Sequence, residues 1–193
     1  MKARTSKQLW FLAAAVAVLV AGNWAYAELN DTGSENDTTE RNTRVTFDTP
    51  SIETNAAVEG DPIPGSTVQN LQGDDVDIAS LVGQPMVINI WGSTCGPCKK
   101  ELPDFAAAHL QFQDSVRFIG ISYLPASDRE EGFARDRGVE YELLYDGTGE
   151  FIADVGIAAF PVTLFIDADG RIVRQTGQLD QAELSTIIED ELL

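Results

Sequence analysis

The feature that most constrains this chain is a pair of cysteines that directly follows an apolar run. The run Met86-Val87-Ile88-Asn89-Ile90 is rich in β-branched residues and comes after Gly83-Gln84-Pro85, so it predicts a buried central strand. Lys99-Lys100-Glu101-Leu102 predicts the opening of a helix. Cys95 and Cys98 are therefore expected where a strand passes into a helix.

This position suits thiol-disulfide exchange. The first backbone N–H groups of a helix have no partner within the helix, and together with the helix dipole they favour a thiolate at Cys95. Cys98 lies one turn further on the same face, close enough to form a short disulfide after Cys95 has attacked a substrate disulfide. Pro97 falls in the first turn, where its missing N–H costs little and its fixed φ keeps Gly96-Pro97 rigid. The motif predicts that Cys95 and Cys98 are a catalytic redox pair.

Structural roles fit the two cysteines less well. A zinc site needs about four ligands, whereas the chain holds two cysteines and one histidine, His109, so no metal is expected. A structural disulfide of this spacing closes a very small loop and constrains the unfolded chain little. His109 is expected to be a surface or half-buried residue outside the chemistry, because a helix terminus lowers a thiol pKa without help from an imidazole.

Three stretches carry a family resemblance: Trp91 to Lys99, Phe160-Pro161-Val162-Thr163, and Leu71 to Pro85. They resemble the active site, the proline loop and the entry hairpin of the thioredoxin superfamily, in particular of its exported TlpA/ResA-type branch, over residues 65–191. The resemblance implies an α/β thioredoxin-like fold, with a central mixed β-sheet, helices on both faces and an inserted βα unit. It also implies a thiol-disulfide oxidoreductase that needs no cofactor beyond the Cys95-Cys98 disulfide.

The same resemblance implies the residues that bind substrate. Pro161 is expected to be cis and to pack beside the disulfide, and the backbone at Phe160 is expected to pair with an extended substrate segment. Trp91 is expected to shield the disulfide and line the docking groove, next to Gly96 and Pro97, with packing in the core as the alternative for this aromatic side chain.

The resemblance leaves open which group handles the proton of Cys98. Asn89 stands where thioredoxin carries a buried acid, and an amide does not titrate. The exported branch often places another acid after the next strand, but Ser122-Tyr123-Leu124-Pro125 holds no carboxylate. Water, Lys99 and another acid such as Glu101 remain as alternatives.

The remaining pattern predicts the other elements of the domain. Strands are expected at 116–122, 141–145, 162–166 and 171–175, and helices at 95–113, 127–138, 149–155 and 180–192. The first of these helices has an expected apolar side of Leu102, Phe105, Ala106, Leu110 and Phe112.

The N-terminal part predicts export. Residues 1–27 combine early basic residues, an apolar stretch and Ala25-Tyr26-Ala27, which indicates a cleaved signal peptide or, alternatively, an uncut membrane anchor. Residues 28–64 are polar and acidic and predict a disordered spacer, in which Val45-Thr46-Phe47 is too weak a pattern to assign a strand. Residues 65–193 form the predicted thioredoxin-like domain. An exported, extracytoplasmic protein is expected, secreted or anchored through its N-terminus.

The formal net charge of -18 excludes nucleic-acid binding, because phosphates reward a basic surface. The expected partners are protein disulfide substrates and a membrane electron donor, and the chain is expected to be a monomer. The leading hypothesis is reduction of disulfides in exported proteins, with apocytochrome c as a substrate that the resemblance implies. The alternatives are a disulfide-forming oxidase, a thiol peroxidase, and a tethered binding or haem-handling module without activity. Gly92 and Ile88 stand where a peroxidase would carry Thr and Pro.

Overall fold

A computed structural model of the chain describes residues 54–193. The predicted signal or anchor, most of the predicted spacer and the Val45-Thr46-Phe47 stretch lie outside the described residues. Within residues 54–193, no helix combines the length and the apolar character that a membrane span requires.

Within residues 54–193, seven strands and four α-helices follow one another. An antiparallel pair comes first, β1 (Thr67–Gln69) and β2 (Asp75–Asp77), and a short 3₁₀ helix (Ile78–Leu81) follows it. The active-site strand and helix come next, β3 (Met86–Trp91) and α1 (Gly96–Phe112). The rest of the domain consists of β4 (Arg117–Ser122), α2 (Asp128–Arg135), β5 (Glu142–Tyr145), α3 (Glu150–Val155), β6 (Val162–Ile166), β7 (Ile172–Thr176) and α4 (Gln181–Glu191).

All seven strands form one sheet with the order β2-β1-β5-β4-β3-β6-β7. β3 runs parallel to β4, and β4 runs parallel to β5, because a helix crosses over between the members of each pair. β6 and β7 are antiparallel, as are β1 and β2. The expected mixed sheet is confirmed, and every residue of β3 is buried.

Helices cover both faces of this sheet, as expected. One core cluster joins the sheet to α1, α2 and α4 through side chains that include Leu102, Phe105, Ala134 and Leu184. The other joins the opposite face to α3 and the 3₁₀ helix through Phe151, Val155 and Ile78. The active-site strand is therefore held between two apolar layers, and its carboxyl end leads directly to the cysteines.

Local signals placed most helix ends correctly. Ser127 caps α2, Gly156 ends α3 with a φ of 72°, and Asp180 forms a capping box with Glu183 at the start of α4. One expected core residue is wrong: Leu110 is 67% exposed, because its position on α1 points away from the sheet.

The structure differs from the expectation of disorder in residues 54–64, which pack on the domain. Val58 and Ile63 are buried, and backbone hydrogen bonds join Gly60, Asp61 and Ile63 to the strand β7 and the residues just before it. A few apolar residues and an open sheet edge were enough to order a segment whose composition is otherwise polar. The domain thus begins before residue 65.

Candidate active site at the start of helix α1

Cys95 is the N-cap residue of α1 and forms a disulfide with Cys98, the two Cα atoms being 5.3 Å apart. The Sγ atom of Cys95 accepts a hydrogen bond of 3.2 Å from the backbone N–H of Cys98. Cys95 is partly exposed, whereas Cys98 has no exposed surface. The arrangement gives one sulfur access to a partner and stabilises negative charge on that same sulfur.

Gly96 and Pro97 lie between the cysteines and are exposed. Trp91 has a different environment from the one expected. Its side chain has no exposed surface and stacks on Phe133 with ring centroids 6.0 Å apart. Trp91 therefore takes a core position, and it has no surface available to a docked substrate.

The proline loop has a cis peptide bond between Phe160 and Pro161. Pro161 is buried and Phe160 is partly exposed. The ring of Tyr123 packs against Phe160 with centroids 4.4 Å apart, and its hydroxyl is hydrogen-bonded to the Thr94 hydroxyl at 2.8 Å. Tyr123 thus connects the residue before Cys95 to the residue before Pro161. The sequence pattern predicted that Tyr123 follows a strand, but it did not indicate a function for the Tyr123 side chain.

A buried carboxyl group lies one helical turn beyond Cys98. Glu101 has no exposed surface, and its Oε1 accepts a hydrogen bond of 2.9 Å from the Asn89 side-chain amide. Its Oε2 accepts one from the backbone N–H of Leu179. Burial raises the pKa of Glu101 to about 7, because desolvation penalises the charged form more than these two hydrogen bonds favour it. A carboxyl group with this pKa can take up and release a proton near neutral pH.

A second buried carboxylate lies behind the loop that carries Cys95. Glu130, on α2, is 3% exposed and accepts a hydrogen bond of 3.1 Å from the backbone N–H of Ser93. It also accepts hydrogen bonds from the hydroxyls of Ser93 and Ser122. Ser122-Tyr123-Leu124-Pro125, at the end of β4 and directly after it, holds no acid. Glu130 comes from the following helix and contacts the Ser122 hydroxyl at the end of β4.

Asn55, in the segment that was predicted to be a disordered spacer, binds the backbone just before the proline loop. The Asn55 side-chain oxygen accepts hydrogen bonds from the backbone N–H groups of Ala158 and Ala159, at 2.7 and 2.8 Å. Its amide donates to the carbonyl of Ala159 at 3.2 Å. One side chain therefore fixes the backbone immediately before Phe160.

His109 fits its expected place outside the site. It is half-buried on α1, where its ring contacts Phe118 and Tyr141, and burial lowers its pKa. Among residues 54–193, no group of three or more His, Cys, Asp or Glu side chains is arranged to hold a metal ion.

Gly92→Ala is expected to displace the Tyr123 ring. A Cβ atom at position 92 would lie 2.6 Å from Cε1 of Tyr123, so the ring must leave its contact with Phe160. We expect the free energy of unfolding to fall by about 1 to 3 kcal/mol in chemical denaturation. Gly96→Ala, where a Cβ atom meets nothing within 4 Å, is the matched control.

The cause is tested by repeating the glycine substitution in a Tyr123→Ala background. The cost should then largely vanish, because the obstructing ring is gone. An equal cost in both backgrounds would show that the Tyr123 ring is not what limits position 92.

The fold and the site together define a class: a thioredoxin-fold protein with a redox-active cysteine pair at a helix start. Comparison with known proteins agrees with this class. The family model described as the AhpC/TSA family matches residues 59–175, and the chain belongs to that family.

The chain is similar to proteins named thiol-disulfide oxidoreductase ResA. The protein from Bacillus thuringiensis (strain Al Hakam) is 26% identical over 117 residues, which cover 60% of this chain and 68% of that protein. The one from Bacillus subtilis (strain 168) is 24% identical over 126 residues, which cover 64% and 70%. A solved structure of a secreted Mycobacterium tuberculosis disulfide oxidoreductase is 27% identical with a TM-score of 0.56, and the match covers 65% of this chain and 95% of that one. The chain is a thiol-disulfide oxidoreductase that is similar in sequence to the ResA proteins.

Proposed function

We propose that this protein is an exported reductant of disulfides in extracytoplasmic proteins. The observation that carries the proposal is the difference in exposure between the two cysteines. Cys95 is partly exposed at a helix N-terminus, and Cys98 is buried one turn further along the helix. An accessible nucleophile with a sheltered resolving thiol is the arrangement that exchange with a large partner requires.

The proposed reaction has two exchanges. The Cys95 thiolate attacks one sulfur of a substrate disulfide, which forms a mixed disulfide and releases the first substrate thiolate. The Cys98 thiolate then attacks Cys95 Sγ, which forms the Cys95-Cys98 disulfide and releases the second substrate thiolate. Two electrons pass from the protein to the substrate, and the two cysteine protons end on the substrate thiols. A dithiol donor must reduce the protein again after each turnover.

Glu101 is the proposed proton acceptor for Cys98. It is buried on the same helix, one turn further on, and its pKa of about 7 allows it to change protonation state during turnover. Lys99 is exposed and its Nζ lies over the Phe133 ring, which makes it a poorer candidate. Asn89 is then proposed to orient the Glu101 carboxyl group, because its side-chain amide donates a hydrogen bond to one of the carboxyl oxygens.

Substrate recognition is proposed to use the surface beside Cys95. Gly96 and Pro97 are exposed there, and the partly exposed Phe160 precedes the buried Pro161. An extended substrate segment would pair with the backbone at Phe160 and place its disulfide on Cys95. The net charge of -18 favours basic or neutral partners.

Export, the donor and the physiological substrate rest on the sequence and on the relatives. Residues 1–27 have the pattern of a signal peptide or anchor, and a similar Mycobacterium tuberculosis protein is described as secreted. In that setting the donor is proposed to be a membrane dithiol protein. The cysteine pair of apocytochrome c is the proposed substrate class before haem attachment.

The proposal is tested by giving the reduced protein two oxidising substrates, a peptide with one disulfide and hydrogen peroxide. We expect the peptide disulfide to oxidise the Cys95-Cys98 pair at the same rate whether or not hydrogen peroxide is present. Consumption of peroxide at a rate that exceeds disulfide exchange would instead identify a thiol peroxidase. Binding of the peptide with no change in thiol content would identify a module without redox activity.

A further inference from the structure

Glu130 is placed to act on Cys95 through the turn that precedes it. The turn is closed by a hydrogen bond of 3.0 Å from the N–H of Cys95 to the carbonyl of Gly92. Ser93, inside this turn, donates to Glu130 through both its backbone N–H and its hydroxyl. The carboxylate therefore holds the backbone two residues before the nucleophile.

The network around Glu130 also ties the turn to the adjacent strand. The Ser122 hydroxyl, at the end of β4, donates to Glu130 Oε2 at 3.1 Å and accepts a hydrogen bond from the backbone N–H of Leu124. On its own helix, the N–H of Glu130 is capped by the Ser127 hydroxyl. Each oxygen of this carboxylate has a donor, which suits a group that carries its charge inside the protein.

In the part of the chain that the structure describes, no cationic side chain forms a salt bridge with Glu130. The salt bridges among residues 54–193 join Arg117 to Glu142, Arg135 to Glu131 and Arg174 to Glu191, and none includes Glu130. A buried charge acts over longer distances than an exposed one, because water screens it less. Cys95 is only two residues beyond Ser93, in the turn that Glu130 binds, so this charge is expected to act on its thiolate.

Other charged or titratable groups lie on the elements near Cys95 and Glu130. They come from α1, from α2 and the turn after it, from the loop after β4 and from β5, and they are Lys99, Lys100, Glu101, Glu131, Arg135, Arg137, Tyr123 and Tyr145. The two lysines are exposed, and Arg137 lies over the Phe133 ring. Glu130 is distinguished from the other carboxylates by its hydrogen bonds to the active-site turn itself.

We propose that Glu130 is a positioning residue for Cys95. The buried negative charge of Glu130, which Ser93 and Ser122 hold in place, makes the Cys95 thiolate less favourable. The proposal rests on Cys95 as the nucleophile of the proposed function. The helix N-terminus lowers the thiol pKa and the carboxylate raises it, so the pair is kept from becoming a strongly oxidising one.

Glu130→Gln separates charge from geometry. Its amide oxygen can take the place of Oε2 and accept from Ser93 N–H and Ser122, while its NH₂ group donates to the Ser93 hydroxyl, which can turn to accept. Glu130→Asp keeps the charge but is one methylene too short for the same contacts. Glu131→Gln is the matched control, since it removes the same charge from the next residue, which pairs with Arg135 instead.

The measurement is the pH dependence of alkylation of Cys95 by iodoacetamide, on the full chain in a Cys98→Ser background where only one thiol reacts. We expect Glu130→Gln to lower the midpoint by about one pH unit and to speed alkylation several-fold below the original midpoint. Glu131→Gln should move the midpoint by much less. Glu130→Asp should keep a midpoint near that of the parent but lower the free energy of unfolding.

An equal midpoint in the parent, Glu130→Gln and Glu131→Gln would overturn the proposal, and so would an unfolded Glu130→Gln protein, because the amide must be able to replace the carboxylate. This readout needs no substrate. If the wild-type protein did not reduce disulfides, the proposed function would be refuted. The midpoint shift in Glu130→Gln would still stand as a separate result.

Discussion

Cys95→Ser is expected to abolish disulfide reduction, by at least about 1,000-fold, whereas Cys98→Ser is expected to stop after the first exchange. Cys95 is the sulfur with exposed surface at the helix start, so its loss removes the nucleophile. Cys98 is fully buried and can reach only Cys95, so its loss removes resolution alone. The Cys98→Ser protein should therefore accumulate a mixed disulfide with its substrate.

Non-reducing electrophoresis followed by mass measurement of the trapped species checks both halves. Mass should place the substrate on Cys95, and a reductant should release it. The double variant without either cysteine is the control for non-covalent association. Equal trapping by both single variants would contradict the assignment of roles, because it would mean that each sulfur is open to the substrate.

Glu101→Gln is expected to flatten the pH dependence of stability between pH 4.5 and about 7. The ordinary pKa of this carboxyl is 4.5 and burial raises it to about 7 in the folded protein. A raised acid pKa means that the folded state holds the proton more tightly than the unfolded state. The stability it contributes is therefore complete below pH 4.5 and is lost as the pH rises through about 7, at a cost of about 3 kcal/mol.

Urea unfolding of the oxidised protein at several pH values measures that slope. Asp104→Asn is the matched control on the same helix: its pKa is also raised, by desolvation and by Asp180, but it is partly exposed. It should leave most of the slope in place. A slope that is unchanged in Glu101→Gln would contradict the buried, near-neutral carboxyl group.

The same Glu101→Gln substitution should slow resolution at neutral pH by about 100-fold, if a general base is lost. Release of substrate from the mixed disulfide is the step to follow, since attack by Cys95 does not need Glu101. A slower first attack with normal resolution would place Glu101 elsewhere in the reaction.

Sequence patterns predicted the parts of the fold that depend on neighbouring residues. The apolar run before the cysteines and the starts of the helices expected at 127–138 and 180–192 depend on residues only a few positions apart, so their structural consequences are visible in the sequence. The cysteine pair was found for the same reason: the spacing and the helix start are local.

The sequence did not predict the contacts that hold the site from distant positions. Glu130 binds Ser93 from 37 residues away, and Asn55 binds Ala159 from 104 residues away. Neither residue belongs to a motif, and Asn55 lies in a segment whose composition indicates disorder. The sequence left two positions open for Trp91, a groove wall and the core, and its side chain is fully buried. Only the three-dimensional arrangement distinguishes the two.

The Cys95-Cys98 pair is proposed to work as a reductant. The equilibrium of this pair with glutathione gives its reduction potential, which tests the proposal most directly. The protein is equilibrated with defined ratios of reduced and oxidised glutathione, and the fraction of disulfide is read after acid quenching and thiol labelling. We expect a reduction potential toward that of thioredoxin, at or below about −220 mV. A potential near about −120 mV, the range of a strong disulfide-forming oxidant, would contradict it.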